Sequence, residues 1–196
     1  MKEVGIDLAG VKIKKTGFAI LLGMEAKTQV LHSDSQILKE VSSWQPSIVS
    51  IDAPLGKPLR GKTRVCEKQL RKMGIRVFPC MFAGMRTLTE RGIKLAQKIR
   101  ELGYVVIESY PGSAQDILGI PRKGRSVKAL QKALWEYGVR GDVLKNGITD
   151  HELDAITSAI VGKMFLVGET VSIGKEEEGL MVIPRHKADL QDFEVA

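Results

Sequence analysis

The sequence predicts an α/β domain whose mixed sheet begins with an antiparallel meander and continues with parallel strands. Three short strand patterns, at residues 3–8, 17–22 and 28–32, are separated by turns rich in glycine and lysine, as expected for hairpins. Two later apolar runs, at residues 47–51 and 104–107, are continuous rather than alternating. Such runs, placed between helical patterns, are typical of parallel strands that are buried on both faces.

Helical patterns occupy the stretches between and after these strands, and each is recognised by a cap and by apolar side chains spaced 3–4 residues apart. The predicted helices are a short one capped by Asp34 or Ser35 that ends near Val41, followed by residues 63–73, 87–102, 127–137 and 149–165. Residues 110–112 (Tyr-Pro-Gly) are predicted to form a sharp turn that leaves the strand at 104–107. Residues 169–184 are predicted to form a terminal hairpin, and residues 185–196 a tail.

Length and composition predict one soluble domain spanning residues 1–196. The 43% hydrophobic and 27% charged content of the 196 residues is ordinary for a globular protein with a substantial core. No apolar run reaches the roughly 18–20 residues that a membrane span needs, so no membrane association is expected. Asp7 and Gly10 interrupt the first apolar stretch, which is unlike a signal peptide. The sequence therefore predicts a cytoplasmic protein.

The chain is basic, with a formal net charge of +7 and an isoelectric point near 9.4, which favours polyanionic partners. Its cations are concentrated in two segments. The first contains Lys57, Arg60, Lys62, Arg64, Lys68, Arg71, Lys72 and Arg76, and the second contains Arg122, Lys123, Arg125 and Lys128. The aromatic content of 5% provides no stacking platform, so charge alone leaves both a nucleic-acid partner and a solvated basic surface open.

The two cysteines, Cys66 and Cys80, form neither a CxxC pair nor a Cys/His cluster, so a structural zinc site is not expected. Both are predicted to be free thiols. A thiol nucleophile at Cys66, close to Arg64 and Lys68, is an alternative to the favoured role of small apolar filler.

Acidic residues follow buried elements at several separate places in the chain. Asp7, Asp52 and Glu108 each end or follow an apolar strand, and a further acidic group lies in the last predicted helix. A carboxylate beside a buried apolar run is unfavourable unless a cation, a hydrogen-bond donor or water compensates it. Several such residues in one chain predict a convergent acidic site, and such sites usually hold a divalent metal.

The last helix begins with a capping box in which Thr149 is the N-cap and Glu152 is the third helical residue, which explains Glu152 structurally. Asp154 has no such explanation, because it lies beside the apolar face that must pack on the sheet. Asp150 lies one turn earlier on the same face, and His151 flanks Asp154 at a spacing of three residues. We therefore predict that Asp154 is functional.

The order of elements resembles that of the ribonuclease H-like fold, and residues 151–155 resemble the last motif of Holliday-junction resolvases in that superfamily. Five motifs carry a closer resemblance: Gly-Ile-Asp-x-Ala-Gly at residues 5–10, Ile-Asp-Ala-Pro-Leu-Gly at 51–56, Arg-x-Cys-Glu at 64–67, Glu-x-Tyr-Pro at 108–111 and Asp-x-x-x-Asp-Ala at 150–155. Together they resemble domain-of-unknown-function family 429, whose members are described as predicted nucleases of this fold. The similarity extends from Lys2 to about Pro184.

This resemblance implies a mostly parallel, mixed sheet of five strands flanked by helices. Asp7 would lie on the central strand, Asp52 or Glu108 would lie nearby, and the last helix would bring Asp154 to them. The sequence offers both Asp52 and Glu108 for one middle position and does not decide between them.

The leading hypothesis is hydrolysis of phosphodiester bonds in DNA or RNA with two Mg²⁺ or Mn²⁺ ions. The candidate metal ligands are Asp7, Asp52, Glu108, Asp150 and Asp154. In addition, Lys57, Arg60 and Arg64 are predicted to hold phosphates, and His151 to move protons.

Two alternatives remain open. The opening Gly-Ile-Asp followed by Thr16-Gly17 also resembles the first phosphate-binding turn of sugar kinases and actin-like ATPases, although those enzymes close two such domains on ATP. The fold could instead be a nucleic-acid-binding or interaction module without catalysis. The oligomeric state is open, and the apolar C-terminal hairpin could pair with another chain.

Overall fold

The computed structural model describes residues 1–11, 14–124 and 126–185; most of the predicted tail, residues 186–196, lies outside them. The described chain contains eight strands and six α-helices. In chain order they are β1 (Lys2–Asp7), β2 (Thr16–Leu22), β3 (Glu25–Leu31), α1 (Asp34–Trp44), β4 (Ile48–Asp52), α2 (Val65–Lys72), α3 (Ala83–Glu101), β5 (Val106–Ser109), α4 (Pro111–Leu118), α5 (Val127–Glu136), β6 (Arg140–Gly141), α6 (Asp150–Leu166), β7 (Thr170–Ile173) and β8 (Met181–Pro184).

All eight strands belong to one mixed sheet in the order β6-β3-β2-β1-β4-β5-β8-β7. The predicted fold class is confirmed: β1, β2 and β3 form the antiparallel meander, and β4 and β5 extend β1 in parallel. The strand count differs from the expected five. The C-terminal hairpin is present, but β8 pairs with β5 and so joins the main sheet, and the two-residue β6 pairs with β3 at the opposite edge. That residues 1–196 form a single domain stays a prediction.

Helix α6 lies directly against β1 and β2 because glycines on these strands leave room for its backbone. A Cβ atom on Gly5 would lie 1.9 Å from the carbonyl oxygen of Ala155, and one on Gly17 would lie 2.0 Å from that of His151. Real Cβ atoms do not approach other atoms so closely, so any larger residue must push the helix away. This close contact fixes the first two turns of α6 at the end of β1.

The other face of the central strands packs against α1 and α3. Side chains alternate along β1, so Val4 and Ile6 point into this core whereas Gly5 and Asp7 point towards α6. The core on the α1/α3 side is formed by Val4, Ile6, Phe18, Ile37, Val41, Val49, Ile51, Leu95 and Ile99. The pleat therefore determines which strand residues can contribute to a site beneath α6.

Helix α3 begins at Ala83, four residues before the capping box predicted at residues 87–90, and its N-cap is Phe82. The predicted box is not a cap, because all four of its residues lie inside the helix. Within it, the Thr89 hydroxyl donates to the carbonyl oxygens of Cys80 (2.8 Å) and Met85 (3.0 Å).

Helix α4 replaces the sharp turn predicted at residues 110–112. Pro111 occupies its first turn and Gly119 ends it in the left-handed conformation, with φ at 70°. Proline is well tolerated at the start of a helix and glycine at its end, so the pattern that indicated a turn is also a helix pattern.

None of the helices in the described part of the chain is both long enough and apolar enough to cross a membrane.

Candidate acidic active site

Asp7 and Asp52 lie side by side at the ends of two parallel strands. They are register partners in the β1–β4 pair, so their side chains leave the sheet on the same face. The next partner across the sheet is Ser109 on β5, not Glu108, which pairs with Ile51. Because successive residues point to opposite faces, Glu108 faces away from the two aspartates. The structure thus brings Asp52, and not Glu108, beside Asp7.

Helix α6 brings His151 and Asp154 to the same edge of the sheet. Its start is fixed by the predicted capping box, in which the Thr149 hydroxyl accepts from the Glu152 amide (3.2 Å) and the Glu152 carboxylate accepts from the Thr149 amide (2.9 Å). With the helix held there, His151 Nδ1 lies 2.7 Å from Asp7 Oδ2. A bond between residues 144 positions apart joins the first strand to the last helix.

The ammonium group of Lys123 lies among the carboxylates. Its Nζ is 2.7 Å from Asp154 Oδ2, 3.6 Å from Asp150 Oδ2 and 3.9 Å from Asp7 Oδ2. On its other side, Asp154 Oδ1 accepts a hydrogen bond of 2.9 Å from Gln115 Nε2 on α4. One lysine therefore serves three carboxylates, and the cluster keeps an excess of negative charge.

The pKa values of the cluster reflect this crowding. Removal from water raises the pKa of Asp52 well above its usual value, and repulsion by Asp7 and Asp154 raises it further. Burial also raises the pKa of Asp154, although Lys123 opposes the shift. The hydrogen bond to Asp7 raises the pKa of His151. Among the residues that the structure describes, none donates a hydrogen bond or forms an ion pair with Asp52.

We expect Asp52→Asn to stabilise the protein in the absence of metal at neutral pH. The folded-state pKa of Asp52 lies above its unfolded-state pKa, so the ionisation of Asp52 disfavours folding increasingly as the pH rises from the unfolded-state to the folded-state value. Above the folded-state pKa the full cost applies. A neutral amide removes this cost. The melting temperature in EDTA should rise by a few degrees at pH 7, since 1 kcal/mol corresponds to roughly 2–4 °C at this chain length. A rise of equal size at about pH 3, where Asp52 is protonated, would contradict this electrostatic origin.

Glu108 and Arg64 form a separate buried ion pair on the opposite face of the sheet. Arg64 Nη1 and Nη2 donate to the two carboxylate oxygens of Glu108 at 2.8 and 2.5 Å, and Arg64 Nε donates to Glu67 Oε1 at 3.0 Å. Arg64 is fully buried and Glu108 is 2% exposed. Glu108, a candidate metal ligand, and Arg64, a candidate phosphate contact, thus neutralise each other. Sequence spacing alone did not show on which face of the sheet Glu108 lies.

Lys57 and Arg60, the other two predicted phosphate contacts, are exposed on the loop that follows β4. Lys57 Nζ lies 3.9 Å from Glu90 Oε1, a weak surface pair. Both residues therefore stay candidates for contact with an anionic ligand.

The two cysteines are buried free thiols, and burial raises the pKa of each to about 12. Such thiols carry almost no thiolate at neutral pH, which agrees with the favoured role of core filler and argues against a nucleophile.

In the described chain, no group of three or more His, Cys, Asp and Glu side chains is gathered closely enough to hold a metal ion. Lys123 instead lies between the acids that were predicted to do so. Lys123 and Gln115 were not predicted as site residues. The helix pattern from Pro111 to Gly119 could have indicated Gln115. Lys123 belongs to the second basic segment, for which the sequence leaves both a nucleic-acid partner and a solvated surface open.

A family model described as "Protein of unknown function (DUF429)" matches residues 5–179, which include every acid of the cluster. The chain belongs to the DUF429 family. No curated protein matches the DUF429 chain at a significant level.

The fold of this DUF429 protein is similar to that of T. thermophilus RuvC, solved in complex with a Holliday junction substrate. That match has a TM-score of 0.53 and 12% sequence identity, and covers 92% of this chain and 99% of RuvC. A second Thermus thermophilus RuvC structure matches with a TM-score of 0.48 and 14% identity, over 86% of this chain and 97% of RuvC. The first match shows that the DUF429 protein has the fold of RuvC, in agreement with the ribonuclease H-like fold expected from the sequence. At this identity the match concerns the fold alone.

Proposed function

We propose that this DUF429 protein is a metal-dependent nuclease in which Asp7, Asp52 and Asp154 form the catalytic carboxylate set. The observation that supports this most strongly is their convergence. Asp7 on β1 and Asp154 on α6 lie 3.9 and 2.7 Å from the same atom, Lys123 Nζ. Asp52, the register partner of Asp7 on β4, has a strongly raised pKa. Groups with perturbed pKa values are concentrated at functional sites.

The chemistry of the carboxylate donors suits a hard divalent cation, although Lys123 must first leave Asp154 for the acids to close on a metal. Carboxylate oxygens are the ligands that Mg²⁺ and Mn²⁺ prefer, and the excess negative charge of the cluster favours an added cation. Asp7, Asp52 and Asp154 would hold it, with Asp150 at the periphery of the site. When bound, the metal would supply an activated water and charge stabilisation for the leaving oxygen.

The protein's own residues have separable tasks. Lys123 offsets part of the negative charge of the carboxylates without metal, and once displaced from Asp154 its ammonium can bind a phosphate oxygen. His151 is oriented through Nδ1 by Asp7, and its raised pKa keeps the imidazolium form at higher pH than usual, so it can donate a proton to a leaving oxygen. Gln115 fixes the rotamer of Asp154 from the opposite side.

A nucleic-acid substrate is supported by the net charge of +7 and by the exposed cations of the loop after β4, Lys57 and Arg60. The similar RuvC structure contains a Holliday junction, which is a further reason to test branched DNA first. A cytoplasmic location stays a prediction from the sequence.

The proposal is tested by incubating the purified protein with end-labelled single-stranded DNA, duplex DNA, a four-way junction and RNA, each with Mg²⁺, Mn²⁺ or EDTA. We expect at least one substrate to be cleaved with a divalent metal and none to be cleaved in EDTA. Salt-sensitive binding without cleavage of any substrate would instead favour a non-catalytic module. Turnover of ATP without cleavage would favour the phosphotransfer alternative.

A further inference from the structure

Beside the acidic cluster lies a cavity of about 470 Å³. It is lined by Asp52, Asp154 and Lys123 and also by the buried Arg64–Glu108 pair. Its apolar wall is formed by Pro54, Val77, Phe78, Met85, Leu88 and Met181. The volume lies within the roughly 300–1,000 Å³ that is usual for small-molecule sites. Hydrolysis of a phosphodiester bond at the carboxylates gives no role to this apolar wall.

An anchored loop presents two exposed aromatic rings, and one of them lines the cavity. Phe78 is 70% exposed although it lines the cavity, and Phe82, four residues later, is 53% exposed. The loop between them is fixed from below, because the Cys80 amide donates to Glu67 Oε2 (3.1 Å) and Thr89 Oγ1 donates to the Cys80 carbonyl oxygen (2.8 Å). Buried hydrogen bonds thus fix the backbone between two of the five phenylalanines of the chain, while both rings remain exposed to solvent.

Cations also line the cavity. Arg122 lines the cavity with Lys123, and its guanidinium lies over the Tyr110 ring at 5.6 Å from the centroid. Arg122 is held there by a bidentate pair with Asp116 at 2.8 and 2.5 Å. The cavity therefore combines an apolar and aromatic surface with the side chains of Arg122 and Lys123, a combination that suits a flat base whose phosphate has a cation nearby.

We propose that this cavity receives one base of the strand to be cut, unstacked from its neighbours and packed against Phe78, Met85 and Leu88. The position of its phosphate at Asp52 and Asp154 rests on the proposed nuclease function; the base site itself does not. A base inside an intact duplex cannot reach such a pocket without leaving the stack. The substrate class is thereby narrowed to single strands, or to single-stranded and distorted positions within larger structures.

The test uses two labelled 12-mers of equal charge, one of thymidine nucleotides and one of abasic deoxyribose phosphates, titrated in EDTA. The wild-type protein should bind the thymidine strand more tightly by about 5- to 150-fold, the range that corresponds to one stacked base. Phe78→Ala should remove most of this preference and leave the affinity for the abasic strand unchanged. Phe82→Ala is the matched control, because that ring is also exposed but does not line the cavity.

Equal wild-type affinity for the two strands would overturn the base site. So would a loss of preference in Phe82→Ala as large as that in Phe78→Ala. The two proposals remain distinguishable. A preference for bases that depends on Phe78, without cleavage in any metal, would support the base site and overturn the hydrolysis. Metal-dependent cleavage without a preference for bases would support the hydrolysis and overturn the base site.

Discussion

Asp7→Asn and Asp154→Asn should each reduce metal-dependent cleavage by about 100-fold or more. Each substitution keeps the size of the side chain and removes the negative charge from a residue proposed to hold the metal. Changes in residues that merely support a metal ligand already reduce activity or affinity by about 10- to 100-fold, so loss of a ligand should equal or exceed that. Initial cleavage rates at saturating Mn²⁺ provide the measurement.

Asp142→Asn is the matched control for these variants. Its side chain is 39% exposed and its carboxylate accepts a bond of 2.7 Å from the Thr28 amide, on the β3 side of the sheet and away from the cluster. It should cleave at close to the wild-type rate. Asp7→Asn and Asp154→Asn should also keep a wild-type melting temperature or exceed it, because each relieves repulsion with Asp52. Retention of more than a tenth of the wild-type rate by both variants would contradict the assignment of the site.

Arg64→Leu should destabilise the protein by about 3–5 kcal/mol, because it leaves the carboxylate of Glu108 buried without its cation. The remaining donor to Glu108, the Leu55 amide at 2.6 Å, satisfies one oxygen but supplies no charge. Chemical denaturation of the metal-free protein measures the change. If Arg64 were a phosphate contact instead, its removal would weaken substrate binding and leave stability largely intact.

Two variants sharpen this result. Arg60→Leu removes an exposed arginine from the same segment and should change stability by no more than about 0.5 kcal/mol. Adding Glu108→Gln to Arg64→Leu removes the unpaired charge and should restore part of the lost stability. A loss below about 1 kcal/mol in Arg64→Leu, or no recovery in the double variant, would contradict a structural role for this pair.

The sequence could predict Asp7 and Asp52 as neighbours because both end apolar strands, and the ends of parallel strands meet at one edge of a sheet. It could not place Glu108, because side chains alternate between faces and a shift of one residue reverses the outcome. The apolar run before Glu108 is buried on both faces, so its composition does not show which of its residues point to which face of the sheet. Only the pairing of Ser109 with Asp52 shows that Glu108 faces Arg64.

The partners of the acids were harder to predict than the acids themselves. Lys123 lies in a loop and Gln115 in a helix taken for a turn, and both reach Asp154 only through tertiary packing. The approach of α6 depends on two glycines on separate strands, Gly5 and Gly17, whose role is visible only once the strands are paired. Local sequence patterns thus identified the acidic residues, whereas long-range contacts determine which side chains offset their negative charge.

The most direct test of the central claim is the anomalous scattering of Mn²⁺ in crystals of the protein. We predict a peak with carboxylate oxygens of Asp7 and Asp154 and at least one oxygen of Asp52 within about 2.3 Å, and with the Lys123 ammonium moved away from Asp154. Crystals at high Mn²⁺ that show no peak at these residues, with Lys123 still bound to Asp154, would contradict it.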